Sequence, residues 1–408
     1  MTTKLSAFAL AAVLLCAGFL ARAAELPEGS GKKLVEGACA ACHELDRVSA
    51  AGYTEEEWRN NINQMVNVGA PLSKDQMDTV FAYLAKSFPA KPKPSAVVVE
   101  GPVKVAIEEW LVPTPGSRPH DPLATPDGAI WYTGQFANLL GRRDPKTGQI
   151  KEYPLPPNAG PHGLIDDKDG NIWYAANFGS HIGKLDPKTG KVTQYPMPDP
   201  KVKDVHTLIW DQKGMMFFTA QNANVVGRLN PKTGEVKIVP SPTPKSRPYG
   251  LVVNSKGIPY FVEFGANKIA SINPDTLEIK EYVLPNADTR PRRIAITSDD
   301  VLWYADYSRG YLGRFDPATG QTTEWASPGG PRSQPYGIAA INDVIWYNES
   351  GTKPNTMVRF DPKTAKFQTW VIPSGGNVVR NVSVTQEGNI AIASSGVNRI
   401  GLVKIERP

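Results

Sequence analysis

The sequence predicts a multidomain chain: a small all-α domain followed by an all-β propeller of seven blades. Three observations carry this. Near the start, the motif Cys39-Ala40-Ala41-Cys42-His43 is followed by two helix-capping signals, Thr54-Glu55-Glu56-Glu57 and Ser73-Lys74-Asp75-Gln76. After a proline-rich stretch, the phrase Asp-Pro-Lys-Thr-Gly recurs with a period in the forties, the length of a four-stranded blade. The last repeat is one strand short, and the missing strand stands at the head of the repeat array.

Taken in order, Met1 to Ala23 reads as an export signal. Lys4 supplies the positive end, Leu5 to Leu20 the apolar run, and Ala21-Arg22-Ala23 a small-x-small cleavage site. The run is short for a membrane span. Leu15 stands before Cys16 where a lipoprotein would place a small residue, so Cys16 is expected to leave with the signal. Residues 24–88 then form the helical domain, 89–101 a linker, and 102–408 the propeller. The 408 residues suffice for two domains with full cores. A net charge of +5, which falls to +3 without Lys4 and Arg22, is too mild and too evenly spread for a nucleic-acid partner. The expectation is a periplasmic protein with no stable membrane anchor.

Two thiols three positions apart with histidine next form the attachment signal for c-type haem. Both thiols add to the vinyl groups of one macrocycle, and the following imidazole becomes the proximal iron ligand. A zinc half-site or a redox dithiol uses the same Cys-x-x-Cys. Zinc would need a second ligand pair, and a dithiol leaves His43 without a role. The motif therefore predicts one covalent haem c on Cys39 and Cys42, with His43 as axial ligand. The helix after Thr54 places Trp58, Ile62 and Met65 on one face, and the last helix aligns Val80, Phe81 and Leu84. Met65 and Met77 are the candidates for the second axial ligand. Met65 is preferred because it leads into the loop Val66-Asn67-Val68-Gly69-Ala70-Pro71, whereas Met77 early in the last helix suits core packing. Cys39 to His43, Trp58, Met65 to Leu72 and Tyr83-Leu84 resemble a class I cytochrome c domain, with most likeness to the haem-binding domains of quinohaemoprotein amine dehydrogenases.

Pro89-Ala90-Lys91-Pro92-Lys93-Pro94-Ser95 reads as a stiff, extended tether. In the repeats beyond it, proline at the second turn position and glycine in the left-handed slot make each phrase a hairpin turn. An aromatic strand such as Ile130-Trp131-Tyr132 or Leu302-Trp303-Tyr304 precedes the turn, and a strand ending in proline follows. The units open at His120, His162, His206, Tyr249, Arg292, Tyr336 and Arg380, with spacings of 42, 44, 43, 43, 44 and 44. Ile107 to Pro113 copies Ile279 to Pro285, so it supplies the fourth strand of the last blade and removes the free edge. The phrases Pro161-His162-Gly163, Pro248-Tyr249-Gly250 and Pro335-Tyr336-Gly337 resemble those of virginiamycin B lyase (streptogramin lyase) propellers, over roughly residues 102 to 408.

The opening residue of each unit is expected to face the central channel. Fourteen residues on (thirteen in the sixth unit) the series reads Gly134, Ala176, Ala220, Glu263, Asp306, Glu349, Ser394. Imidazoles thus gather on blades one to three and carboxylates on four to six, with Arg118, Arg247, Arg290, Arg292 and Arg380 on or next to the same rim. Such a mouth could hold a divalent metal, an anionic ligand or an acid–base pair, or its rings could simply pack. His120, His162, His206, Glu263, Asp306 and Glu349 are the catalytic candidates. The lyase resemblance implies two successive opening histidines and a glutamate at the end of the latter blade's second strand, around magnesium. Here those slots hold Ala176 and Ala220, while Glu263 and Glu349 follow Tyr249 and Tyr336. Two functions are expected. The first is an electron carrier or oxidoreductase component, fed by a periplasmic redox partner protein or a small-molecule donor. The second is a lyase or ligand-binding propeller with an accessory haem domain.

Overall fold

A computed structural model describes residues 26–40, 45–49, 51–67 and 70–406. The export signal, Cys42 and His43 lie outside the described residues. The chain divides into two compact units, residues 1–91 and 92–408.

In the first unit the helices are α1 (Lys32–Cys39), α2 (Asp46–Ser49), α3 (Glu55–Asn67) and α4 (Lys74–Ser87). Both expected capping boxes form. Ser73 N donates to Gln76 Oε1 at 2.8 Å, and Thr54 N donates to Glu57 Oε2 at 2.9 Å. Trp58, Ile62, Val80 and Leu84 are buried together with Leu26, Val35 and Tyr83. Trp58 Nε1 donates to the Phe88 carbonyl at 2.8 Å.

The expected fold class is corrected at this point. The architecture is that of a seven-bladed all-β propeller, and only α1, α3 and α4 exceed a single turn among the described residues. A separate all-α cytochrome c domain is not evident. The apolar spacing at Trp58, Ile62, Val80 and Leu84 is accounted for by short amphipathic helices packing on one another. That pattern specifies helices, not a particular helical fold.

The second unit has seven four-stranded antiparallel sheets. Their innermost strands are Pro119–Ala124, Pro161–Asp166, Val205–Trp210, Pro248–Val253, Pro291–Ile296, Pro335–Ile341 and Val379–Val384. The last blade is closed by Val105–Leu111, paired along its whole length with Arg399–Ile405. The first and last strands of the array therefore share one sheet, which leaves no open seam in the ring. Turn chemistry sets the hairpins. Gly148, Gly190, Gly234 and Gly320 take φ between 72° and 77°, and Leu277 and Ala365 adopt the same left-handed slot at 65° and 53°. The second strands are buried almost throughout, and the four that carry a tryptophan stack it on the fourth strand: Trp131 on Tyr153 (5.3 Å), Trp173 on Tyr195 (5.1 Å), Trp303 on Trp325 (5.6 Å), Trp346 on Trp370 (5.4 Å). Residues 94–103 are laid along blade six instead of spanning open solvent. Lys353 N donates to Pro94 O, Thr369 N to Val99 O, and Val103 N to Gln368 Oε1.

Candidate functional site

One irregularity, repeated in all seven innermost strands, builds the site. Each strand shifts register against its neighbour directly after its first residue, so two residues oppose one. In blade one, His120 and Asp121 together face Thr133. A bulge of this kind re-aims side chains, and here it presents both the opening residue and the next one to the channel. The residue opposite the bulge locks the geometry. Thr133 Oγ1 accepts from Asp121 N at 3.0 Å and donates to the carbonyl of His162 in the next blade at 2.9 Å. Thr219 makes the matching bonds to Thr207 N and Tyr249 O, and Asn348 to Gly337 N and Val379 O.

The opening residues from His120 round to Tyr336 form an arc of touching side chains. His120 and His162 have ring centroids 3.8 Å apart, His162 and His206 3.7 Å, and His206 and Tyr249 3.8 Å. Tyr249 and Tyr336 share a hydroxyl–hydroxyl bond of 2.6 Å. The Arg292 guanidinium lies 3.8 Å from the Tyr336 ring centre and 5.2 Å from that of Tyr249. Burial, the neighbouring imidazoles and the nearby arginines hold His120 and His162 well below the usual histidine value. Both are therefore neutral at neutral pH. Burial pushes the Tyr249 hydroxyl up, while Tyr336, beside Arg292, Arg380 and Arg293, is drawn down despite its own burial.

The second residue of each bulge makes the next layer. Asp121 accepts two bonds from Arg293 Nη2 across the channel (2.8 and 3.0 Å), one from Asn381 Nδ2 (3.0 Å), and faces His120 Nδ1 at 2.8 Å. Further along the same strands lies a cavity of about 230 Å³, lined in part by Asp121, Arg293, Asn381, Leu164, Leu251 and Ile338. At the other end, the loops after the second strands set an aromatic collar at the mouth. Phe136 lies 6.0 Å from Phe178, and Phe264 lies 5.8 Å from Tyr307. Arg118 stacks on Phe136 at 4.2 Å, and Arg292 lies 4.3 Å from Tyr307.

The expected histidines thus meet, but the expected carboxylates do not join them. Glu263 accepts from Ser241 Oγ, with its other oxygen buried and unpartnered. Glu349 accepts from Ser327 Oγ, Gly329 N and Thr356 Oγ1. Asp306 takes Arg290 N and Arg309 Nη1. All three tie the second strand to the connections between blades. Of the expected rim arginines, Arg290 turns to the carbonyls of Ala287 and Thr289, and the Arg247 backbone N–H donates to Asn224. Arg380 Nε donates to Ser395 Oγ at 2.7 Å. Sequence reasoning missed Asp121, Arg293 and Asn381. A signal for them exists in the column they share: Gly163, Gly250 and Gly337 alternate there with side-chain-bearing residues. A Cβ on Gly163 would sit 2.4 Å from the His206 carbonyl, so the even blades give way to their neighbours.

Among the described residues, His120, Asp121 and His162 are the group of three whose donor atoms lie within 4.8 Å of one another, as a metal would need. Both Asp121 oxygens are already engaged by a guanidinium, however, which repels a cation from the same spot. In the helical unit, Cys39 is half-buried at the end of α1 against the helical core, Met77 packs on that core, and Met65 is half-buried in α3.

Comparison with known proteins agrees with this geometry. The family model described as "Virginiamycin B lyase family" matches residues 98–351, more than half of the chain. A streptogramin B lyase structure is 27% identical with a TM-score of 0.67, covering 74% of this chain and 98% of that one. The virginiamycin B lyase of Staphylococcus aureus, as a catalytically inactive histidine-to-alanine variant with quinupristin, is 24% identical with a TM-score of 0.68 over 74% and 99%. The extracellular domain of a hybrid two-component system from B. thetaiotaomicron shares the fold at 14% identity, with a TM-score of 0.58 over 72% of this chain and 39% of that one. No curated protein matches the chain. The matched span, the seven closed blades and the histidine-bearing channel mouth place this chain in the virginiamycin B lyase family.

Proposed function

We propose that the chain is a ligand-binding propeller of lyase type, holding a small polar molecule at the channel mouth against the ring of opening residues. The observation that carries this reading is the contiguous trio His120, His162 and His206, whose successive ring centroids lie 3.7–3.8 Å apart and continue at 3.8 Å from His206 to Tyr249. Two of the three are held neutral, and His162 Nδ1 is buried without a hydrogen-bond partner. A neutral imidazole with an open nitrogen can accept a proton from a bound molecule. Streptogramin elimination itself is disfavoured, because no glutamate follows a pair of opening histidines and no free carboxylate joins the ring. The test is a streptogramin linearisation assay beside calorimetric ligand screening, with wild type and His162→Phe. Binding that His162→Phe abolishes, without linearisation, is the expected result. Linearisation lost in Glu263→Gln or Glu349→Gln would overturn it in favour of the enzyme.

A second reading rests on Cys39-Ala40-Ala41-Cys42-His43. Covalent haem there would supply one-electron chemistry and make the chain a periplasmic redox protein. Cys39 would form one thioether, and its position at the end of α1 against apolar side chains suits a macrocycle edge. Met65 is the better second ligand, since Met77 is committed to core packing. Mass spectrometry after expression with haem-maturation machinery decides it. One haem mass is expected on wild type and none on Cys39→Ser/Cys42→Ser; an unmodified wild-type chain removes this reading.

A further inference from the structure

We propose that the cavity beyond the opening residues is a second binding site, separate from the mouth, for a small neutral molecule: a short aliphatic chain ending in a primary carboxamide or a similar head that both accepts and donates hydrogen bonds. The cavity measures about 230 Å³. A dry cavity of about 150 Å³ is enough for benzene, so a body of about six heavy atoms fits. Roof and walls differ in chemistry. The roof is the Arg293–Asp121 pair, which crosses the channel from blade five to blade one with side chains 6% and 5% exposed. Further along the strands, Leu123, Leu164, Ile165, Leu251 and Ile338 form apolar walls. Gly163 and Gly250 stand in the column of Asp121 and Arg293 and also line the cavity. A Cβ on Gly163 would lie 2.4 Å from the His206 carbonyl oxygen, and one on Gly250 2.9 Å from the Arg293 Cα. The space these glycines leave is therefore fixed by close-packed backbone.

Hydrogen-bonding capacity left at the roof selects the head group. Arg293 spends only Nη2 on Asp121, and its Nε is buried without a partner. Asn381 spends Nδ2 on the same carboxylate. Among the described residues, Arg293 Nη1 and Asn381 Oδ1 are engaged by no other group, so the roof keeps a donor and an acceptor on two side chains that hold one carboxylate. A primary carboxamide answers both. Its oxygen accepts from the guanidinium, and its N–H donates to the asparagine oxygen. Charge decides against an ionic head. Asp121 and Arg293 balance each other, so an added carboxylate or ammonium would enter a buried site without a counter-charge. Leu123, Ile165 and Ser383, the lining residues furthest along the strands from the mouth, are half-buried, which gives a ligand its way in from the opposite end. The aliphatic body then rests on the apolar walls.

The experiment is a ligand-detected NMR titration of the full chain with butyramide, butyrate and butylammonium as separate probes. Butyramide is expected to bind, and the two ions about tenfold or more weakly. Ile165→Trp, which fills the cavity from its wall, should weaken butyramide about tenfold or more, whereas His162→Phe, at the mouth, should leave it unchanged. Thermal melts without ligand show whether Ile165→Trp folds; Leu123→Phe, on a half-buried wall position, keeps the test open if it does not. Butyramide binding that His162→Phe abolishes overturns the cavity site and returns the ligand to the mouth. Butyrate or butylammonium binding as tightly as butyramide overturns the neutral head. Binding indifferent to both wall changes, or no binding of any probe, overturns the cavity as a site and leaves the mouth reading standing on its own test.

Discussion

Opposite sides of the channel mouth use one backbone slot for two chemistries. Blades one to three fill the opening position with His120, His162 and His206, whose rings lie in tilted contact, and His120 and His162 are held neutral. Blades five to seven fill it with Arg292, Tyr336 and Arg380, where guanidinium lies over phenol. The bulge that aims these residues is the same on both sides, so the difference is not one of fold. It shows that the propeller fixes where a side chain points, while the residue in the slot fixes the field a ligand meets. Asp121 of blade one joins the two sides directly: Arg293 of blade five and Asn381 of blade seven both donate to it.

That joint is where the largest effect is expected. Arg293→Met leaves Asp121 buried without its guanidinium, and breaking such a pair costs about 3–5 kcal/mol. Asp121→Asn added to Arg293→Met should recover most of the loss, because the orphaned charge is then gone. Urea denaturation of the two single variants and the double variant checks it. Additive losses would mean that the sides of the channel are not coupled through this pair.

Much of this was legible beforehand. Proline, asparagine or aspartate, and glycine at fixed offsets announce each hairpin, and identical cores repeat behind them; even Leu277 and Ala365 obey the turn that glycine usually fills. The capping boxes at Thr54 and Ser73 announced their helices. What could not be read was the bulge. By strict alternation Asp121 would point away from the face His120 uses, since a strand has a two-residue period. An extra residue in the strand breaks that rule without marking the sequence. Glu263 and Glu349 misled for a related reason. Their column lies at the level where connections between blades cross, and Ser241 and Ser327 engage them there. The helical unit was over-read, because capping and apolar spacing specify helices but not what they enclose.

A middle-sized effect separates the neutral side from the charged one by pH. His120 and His162 have folded values well below the ordinary 6.5, so on acidification the unfolded chain takes up protons first. Stability therefore falls as pH drops below about 6.5, and flattens only once the folded form protonates too. Each histidine contributes up to about 1.4 kcal/mol per pH unit in that window. The groups facing His162 are His120, Asp121, His206, Tyr249, Arg118, Arg293 and Arg380; the arginines keep their charge throughout, and burial raises the Asp121 carboxyl. His162→Phe retains a ring in the stack and should make the acid limb shallower. Denaturation midpoints at a series of pH values read the slope; an unchanged slope would mean that His162 already carries a proton in the native ring.

The smallest effect is expected at the rim, where Arg118 and Gly160 occupy equivalent left-handed positions on neighbouring blades. Arg118→Gly relieves a backbone cost of about 1 kcal/mol. It also gives up stacking on Phe136 and adds freedom to the unfolded chain, each about 0.5–1 kcal/mol. These nearly cancel, so urea denaturation should find stability within about 1 kcal/mol of wild type. A loss well above that would show that Arg118 is held in place for packing, as a structural member of blade one. Near-neutrality would place Arg118 with Asp204, Arg247, Gln334 and Val378, which hold the same left-handed slot on other blades without glycine.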